Sequence, residues 1–74
     1  MRKVVVNGKT YRYRMHRRCV EIFNEDEVRM LASFSVLTHT NWRDVELAVR
    51  KNTLQITPKM VAKHIEYLNQ LGKM

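Results

Sequence analysis

The run Phe23-Asn24-Glu25-Asp26-Glu27-Val28-Arg29-Met30-Leu31-Ala32-Ser33-Phe34-Ser35-Val36-Leu37-Thr38 settles whether this chain is mainly helical. Three local signals agree on a helix opening at Asn24. Its side chain can cap the first turn, Glu27 stands at the third helical position to complete a capping box, and Phe23 with Val28 can form a hydrophobic staple. The acids Glu25, Asp26 and Glu27 would also favour the positive end of the helix dipole. Apolar spacing at Met30, Leu31, Phe34 and Leu37 then carries the helix to about Thr38.

Downstream, Asn41 with Asp44 repeats the capping pattern, and Trp42, Val45, Ala48 and Val49 predict a second helix ending near Lys51. Thr57-Pro58 is a cap and first-position pair for a third. The apolar face of that helix is Val61, Ile65, Leu68 and Leu71, flanked by Met60, and Gly72 is its terminator. Trp42 and Phe34 read as core side chains. On the third helix Lys59, Lys63, Glu66 and Gln70 share the face opposite Val61, Ile65 and Leu68.

Upstream, Val4-Val5-Val6-Asn7-Gly8-Lys9-Thr10-Tyr11 joins two β-favouring runs by Asn-Gly, the pair that accepts the positive φ angles of a tight hairpin turn. Strands are expected at about Lys3 to Val6 and Lys9 to Met15, with Val6 opposite Lys9, Val4 opposite Tyr11 and Lys3 opposite Arg12. One face then carries Val4, Val6, Tyr11, Tyr13 and Met15, and should pack on helices. The other carries Lys3, Val5, Thr10, Arg12, Arg14 and His16, and should stay exposed. The expected fold is therefore mainly α: an N-terminal β-hairpin followed by a three-helix, helix-turn-helix-like bundle. Residues 1–74 form a single domain, with the basic hairpin over 1–18 and the bundle over 23–74.

Seventy-four residues, 45% hydrophobic and 28% charged with 2 Gly and 1 Pro, describe a small folded domain and not a disordered tail. Its stability by length is only about 4 to 11 kcal/mol, little for a strained active site and a lid, so no enzymatic activity is expected. A lone Cys19 cannot form an internal disulfide, and no apolar leader is visible at the charged Met1-Arg2-Lys3 start, so a reducing, cytoplasmic compartment is expected. The longest uncharged stretch, Met30 to Trp42, is 13 residues and too polar to span a bilayer, so no membrane partner is expected.

The formal charge of +7 is concentrated. Arg2, Lys3, Lys9, Arg12, Arg14, Arg17 and Arg18 stand in the first eighteen residues without an acid, whereas the remainder balances seven cations against seven acids. Such a patch points to a polyanion or an acidic protein surface. Lys3 opposite Arg12, with Arg14 and His16 beside them, crowds like charges at cross-strand distance, and relief is expected from a partner or from solvent screening.

From Phe23 onward the chain resembles the Myb/SANT family of three-helix, helix-turn-helix domains. The residues that carry the resemblance are Phe23-Asn24-Glu25-Asp26-Glu27, Leu31, Asn41-Trp42-Arg43-Asp44-Val45 and Thr57 through Tyr67. The resemblance implies that the third helix enters the major groove of DNA, and it nominates Lys59, Lys63 and His64 for contact. Beside it, Lys3, Arg12, Arg14, Arg17 and Arg18 on and after the hairpin are expected to clamp phosphates.

Other chemistry finds no support in the spacing. His16 and Cys19 are spaced like part of a metal site, but His39 and His64 fall on separate helices and no metal or cofactor is expected. Ser33, Ser35 and His39 lack an oxyanion donor or a third member. Single-stranded or RNA binding through Tyr11 and Tyr13 conflicts with their place on the face expected to be buried. The expected function is a transcription-regulatory module that binds duplex DNA. The rival is a phage-type regulator that grips an acidic surface of RNA polymerase or an associated factor without reading DNA.

Overall fold

A computed structural model describes residues 1–73. Its first half is a four-stranded antiparallel sheet in sequential order: β1 (Arg2–Val6), β2 (Lys9–Met15), β3 (Cys19–Phe23) and β4 (Arg29–Ser33). Three helices follow: α1 (Phe34–Thr38), α2 (Trp42–Arg50) and α3 (Pro58–Gln70). The architecture is α+β, not a mainly helical chain and not a hairpin on a three-helix bundle.

The hairpin forms in the expected register, with Lys3 opposite Arg12, Val4 opposite Tyr11 and Val6 opposite Lys9. Asn7 and Gly8 turn it with φ of 52° and 77°. Inner and outer faces also sort largely as expected. Val6, Tyr11 and Tyr13 are buried and Val4 half-buried, whereas Met15 at the strand end is exposed.

The departure lies between Cys19 and Ser33, where the expected first helix is two further strands. Val20 and Ile22 point inward and are completely buried, while Cys19, Glu21 and Phe23 point to the other side. That period-2 alternation with β-branched residues is a strand signature. The polar run after it reverses the chain. Asn24 does use its side chain to cap backbone donors, but Oδ1 accepts from the amides of Asp26 and Val28 at 2.9 Å each, closing an Asx-type turn. Glu27 in that turn has φ 62°, outside any right-handed helix. The same side-chain chemistry serves a helix cap and a hairpin turn, and the sheet decided between them by burying Val20, Ile22 and Ala32. Val28, half of the expected staple, is exposed.

What remains of the expected first helix is the short α1. Ser33 caps it by accepting from the Val36 amide at 3.2 Å, and His39 ends it at φ 55°. The other helices start where expected: Asn41 caps α2 through the Asp44 amide at 3.0 Å, and Thr57 caps α3 with Pro58 in its first turn. Gly72, at φ 71°, follows the end of α3. Val61, Ile65 and Leu68 are buried, and Leu71, beyond the last turn, is half exposed.

The core is shared between layers: Tyr11, Tyr13, Val20 and Ile22 from the sheet meet Phe34, Leu37, Val45, Val61 and Ile65 from the helices. α3 packs on β1 and α1, and the Tyr11 hydroxyl reaches Asn69 Oδ1 at 3.3 Å. α2 packs on α1. Trp42, expected in the core, is 66% exposed. It shares the α2 face of Val45 and Val49 but sits at the first position of the helix, one turn before the buried Val45. No helix among the described residues is long and apolar enough to cross a membrane.

Candidate nucleic-acid interface

Helices cover one face of the sheet, and the other face is open. The pairing places Lys3, Arg12, Phe23 and Arg29 in one row across all four strands. The next row carries Arg14, Glu21 and Leu31. His16 follows at the end of β2, and Leu31 and Val5 are the exposed apolar members of the face.

Glu21 is the centre of this surface. It is the one charged residue of the described chain that is buried, its side chain 5% exposed. Arg14 donates from Nε to Oε1 at 3.1 Å and adds a second bond from Nη2. His16 Nε2 lies 3.2 Å from the same oxygen, and Arg29 Nη1 donates to Oε2 at 3.1 Å. These hydrogen bonds, that from Arg14 first, hold the carboxyl at about 2, against an ordinary value of 4.5. The cover over Glu21 is the side chains of Arg14, His16 and Arg29, not the hydrophobic interior, and their hydrogen bonds outweigh the opposing effect of desolvation. Arg14 and Arg29 themselves remain open to solvent, at 53% and 61% side-chain exposure.

A second acid serves the neighbouring row. Arg12 pairs with Glu27 from the β3–β4 turn and lies over the Phe23 ring, 5.9 Å from its centroid. The like-charge crowding of the hairpin is thus relieved inside the protein, by acids on β3 and the turn that follows it. The expectation that a partner or solvent must supply that relief is corrected.

The sequence-predicted residues divide between two sides of the molecule. Lys3, Arg12 and Arg14 stand on the open sheet face. Arg17 and Arg18 stand at its end in the β2–β3 bend, with Arg18 paired to Glu46 of α2. Lys59 and Lys63 are exposed on α3, on the side turned away from the sheet, so they do not converge with the arginines. His64 faces α1 across a groove of about 850 Å³ whose lining includes Val36, His39, Met60 and Tyr67. Burial, with the charge of His39, holds its imidazole below the ordinary value and favours the neutral form, which has no charge to offer a phosphate. α2 packs on α1, and α3 on β1 and α1, so the helices form a layer on the sheet and not the three-helix bundle expected to carry a helix-turn-helix reading head.

Sequence reasoning missed Glu21 and Arg29. The signal for both was the alternation Val20, Glu21, Ile22, which marks a strand and so sets Glu21 beside Arg14. No protein-family model, no curated protein and no solved structure matches this chain.

Proposed function

We propose that this protein is a small basic module that binds duplex DNA through the open face of its sheet, contacting the phosphate backbone more than the bases. The observation that carries the reading is the row and cluster of Lys3, Arg12, Arg14 and Arg29 on a face that no helix covers. Arg17 extends it at one end. A two-stranded ribbon fits the major groove, and the β1–β2 hairpin lies at the edge of the sheet where it can approach one. Phosphate contacts fix position without reporting sequence, so discrimination among duplexes is weak.

Titration of a random-sequence duplex at two salt concentrations tests this. Four phosphate contacts give a slope of log affinity against log salt of about −3 to −4. No binding at about 50 mM salt refutes the reading.

One observation favours the rival class, an acidic protein partner such as RNA polymerase. Trp42 is exposed with Arg43 over its ring at 5.8 Å, and Leu47 is half exposed on the same helix. Aromatic and arginine side chains of this kind anchor protein interfaces. Under that reading, Trp42→Ala abolishes recovery of the polymerase with nuclease-treated protein while Arg14→Gln leaves it intact.

A further inference from the structure

Glu21 presents a puzzle for a polyanion-binding face. An acid there lowers the local positive potential, so on charge alone the face would attract phosphate better without it. Its position argues for a different role. β3 runs between β2 and β4, so Glu21 reaches Arg14 on one side and Arg29 on the other, one carboxylate oxygen for each.

The donors that remain matter most. A guanidinium carries five N–H donors. Arg14 turns its Nε and Nη2 toward Oε1, and Arg29 uses only Nη1 on Oε2. The other donors of both groups point away from the carboxylate, on side chains more than half exposed. An arginine free on a sheet surface samples many rotamers, and ordering it on binding weakens affinity by about two- to tenfold for each side chain. A guanidinium already tethered avoids that loss.

We propose that Glu21 is a positioning residue: it holds the guanidinium groups of Arg14 and Arg29 outward in a fixed pair that grips adjacent backbone phosphates of duplex DNA. The inference rests on the DNA-binding reading above. The carboxyl, held at about 2, is charged at neutral pH and so keeps both tethers there.

The test is the affinity of the full chain for a random-sequence duplex at fixed salt, compared with Glu21→Gln, whose fold is checked by its thermal melt. Glu21→Gln raises the net charge by one, so a merely electrostatic or structural role predicts tighter or unchanged binding by the folded variant. The positioning role predicts binding about five- to tenfold weaker. It further predicts that the loss disappears in an Arg14→Gln, Arg29→Gln background, because Glu21 then has neither guanidinium to hold. Tighter or equal binding by folded Glu21→Gln overturns the inference while leaving the DNA reading standing. Absence of duplex binding by the parent protein removes both. Should Glu21→Gln fail to fold, the guanidinium Nε–H resonances of the unmutated protein decide. Arg14 and Arg29 signals that are ordered before DNA is added and shift with it support the inference, and signals that do not respond while others do overturn it.

Discussion

Tyr11 and Tyr13 occupy the same face of the same strand, each about 1% exposed, yet their hydroxyls have opposite fates. Tyr11 donates to Asn69 Oδ1, whereas the Tyr13 hydroxyl has no hydrogen-bond partner among the described residues. Leaving a buried hydroxyl unpaired costs about 1 to 3 kcal/mol relative to water. Tyr13→Phe deletes that oxygen and keeps the ring that fills the core, at the expense of a void one atom wide. The expected net effect is a gain of about 1 kcal/mol, which for a domain of this size raises the melting temperature by about 4 to 8 °C. Tyr11→Phe breaks a made bond and lowers stability by about 0.5 to 1.5 kcal/mol. Urea titrations followed by circular dichroism, with matching slopes for parent and variants, measure both changes. A Tyr13→Phe variant less stable than the parent by 1 kcal/mol or more would refute the reasoning, because the hydroxyl would then be making a bond in the folded protein.

The acid limb of stability should carry two separable steps. Glu21 titrates near 4.5 when unfolded and at about 2 when folded, so its contribution is complete above about 4.5 and is lost as pH falls through about 2. Glu21→Gln flattens the dependence of the urea midpoint on pH in that window. His64 is a base whose folded value lies below 6.5, so the unfolded chain takes up the proton first and stability declines as pH drops below that point. His64→Gln removes the upper step and leaves the lower. Trp42→Ala, which in a core position would cost about 3 to 5 kcal/mol, should cost less than about 1 kcal/mol at its exposed place, as read from a cooperative melt within a few degrees of the parent. A largely unfolded Trp42→Ala would show that the indole is packed.

The hairpin, its register and the sorting of its side chains into a buried and an open face were legible in the sequence because they depend on neighbours a few residues apart. Asn7-Gly8 dictates the turn, and the turn dictates which of Lys9 to Met15 faces each of Arg2 to Val6. The starts of α2 and α3 were legible for the same reason: Asn41 and Thr57 satisfy amides within their own first turns. The identity of Cys19 to Ser33 was not local. Asn24 can cap a helix or close a turn with the same oxygen, and Met30, Leu31, Phe34 and Leu37 fit a helical period even though Leu31 stands on the open face of the sheet. The free edge of β2 resolved the ambiguity: a further strand pairs its backbone groups, and in that pairing Val20 and Ile22 are buried as neighbours of Met15 and Tyr13. The candidate site followed the same division. The cations of the hairpin were visible as a run of sequence, but the acid that hydrogen-bonds Arg14 of the hairpin and Arg29 of β4 lies seven residues from the one and eight from the other, and only strand pairing brings the three together.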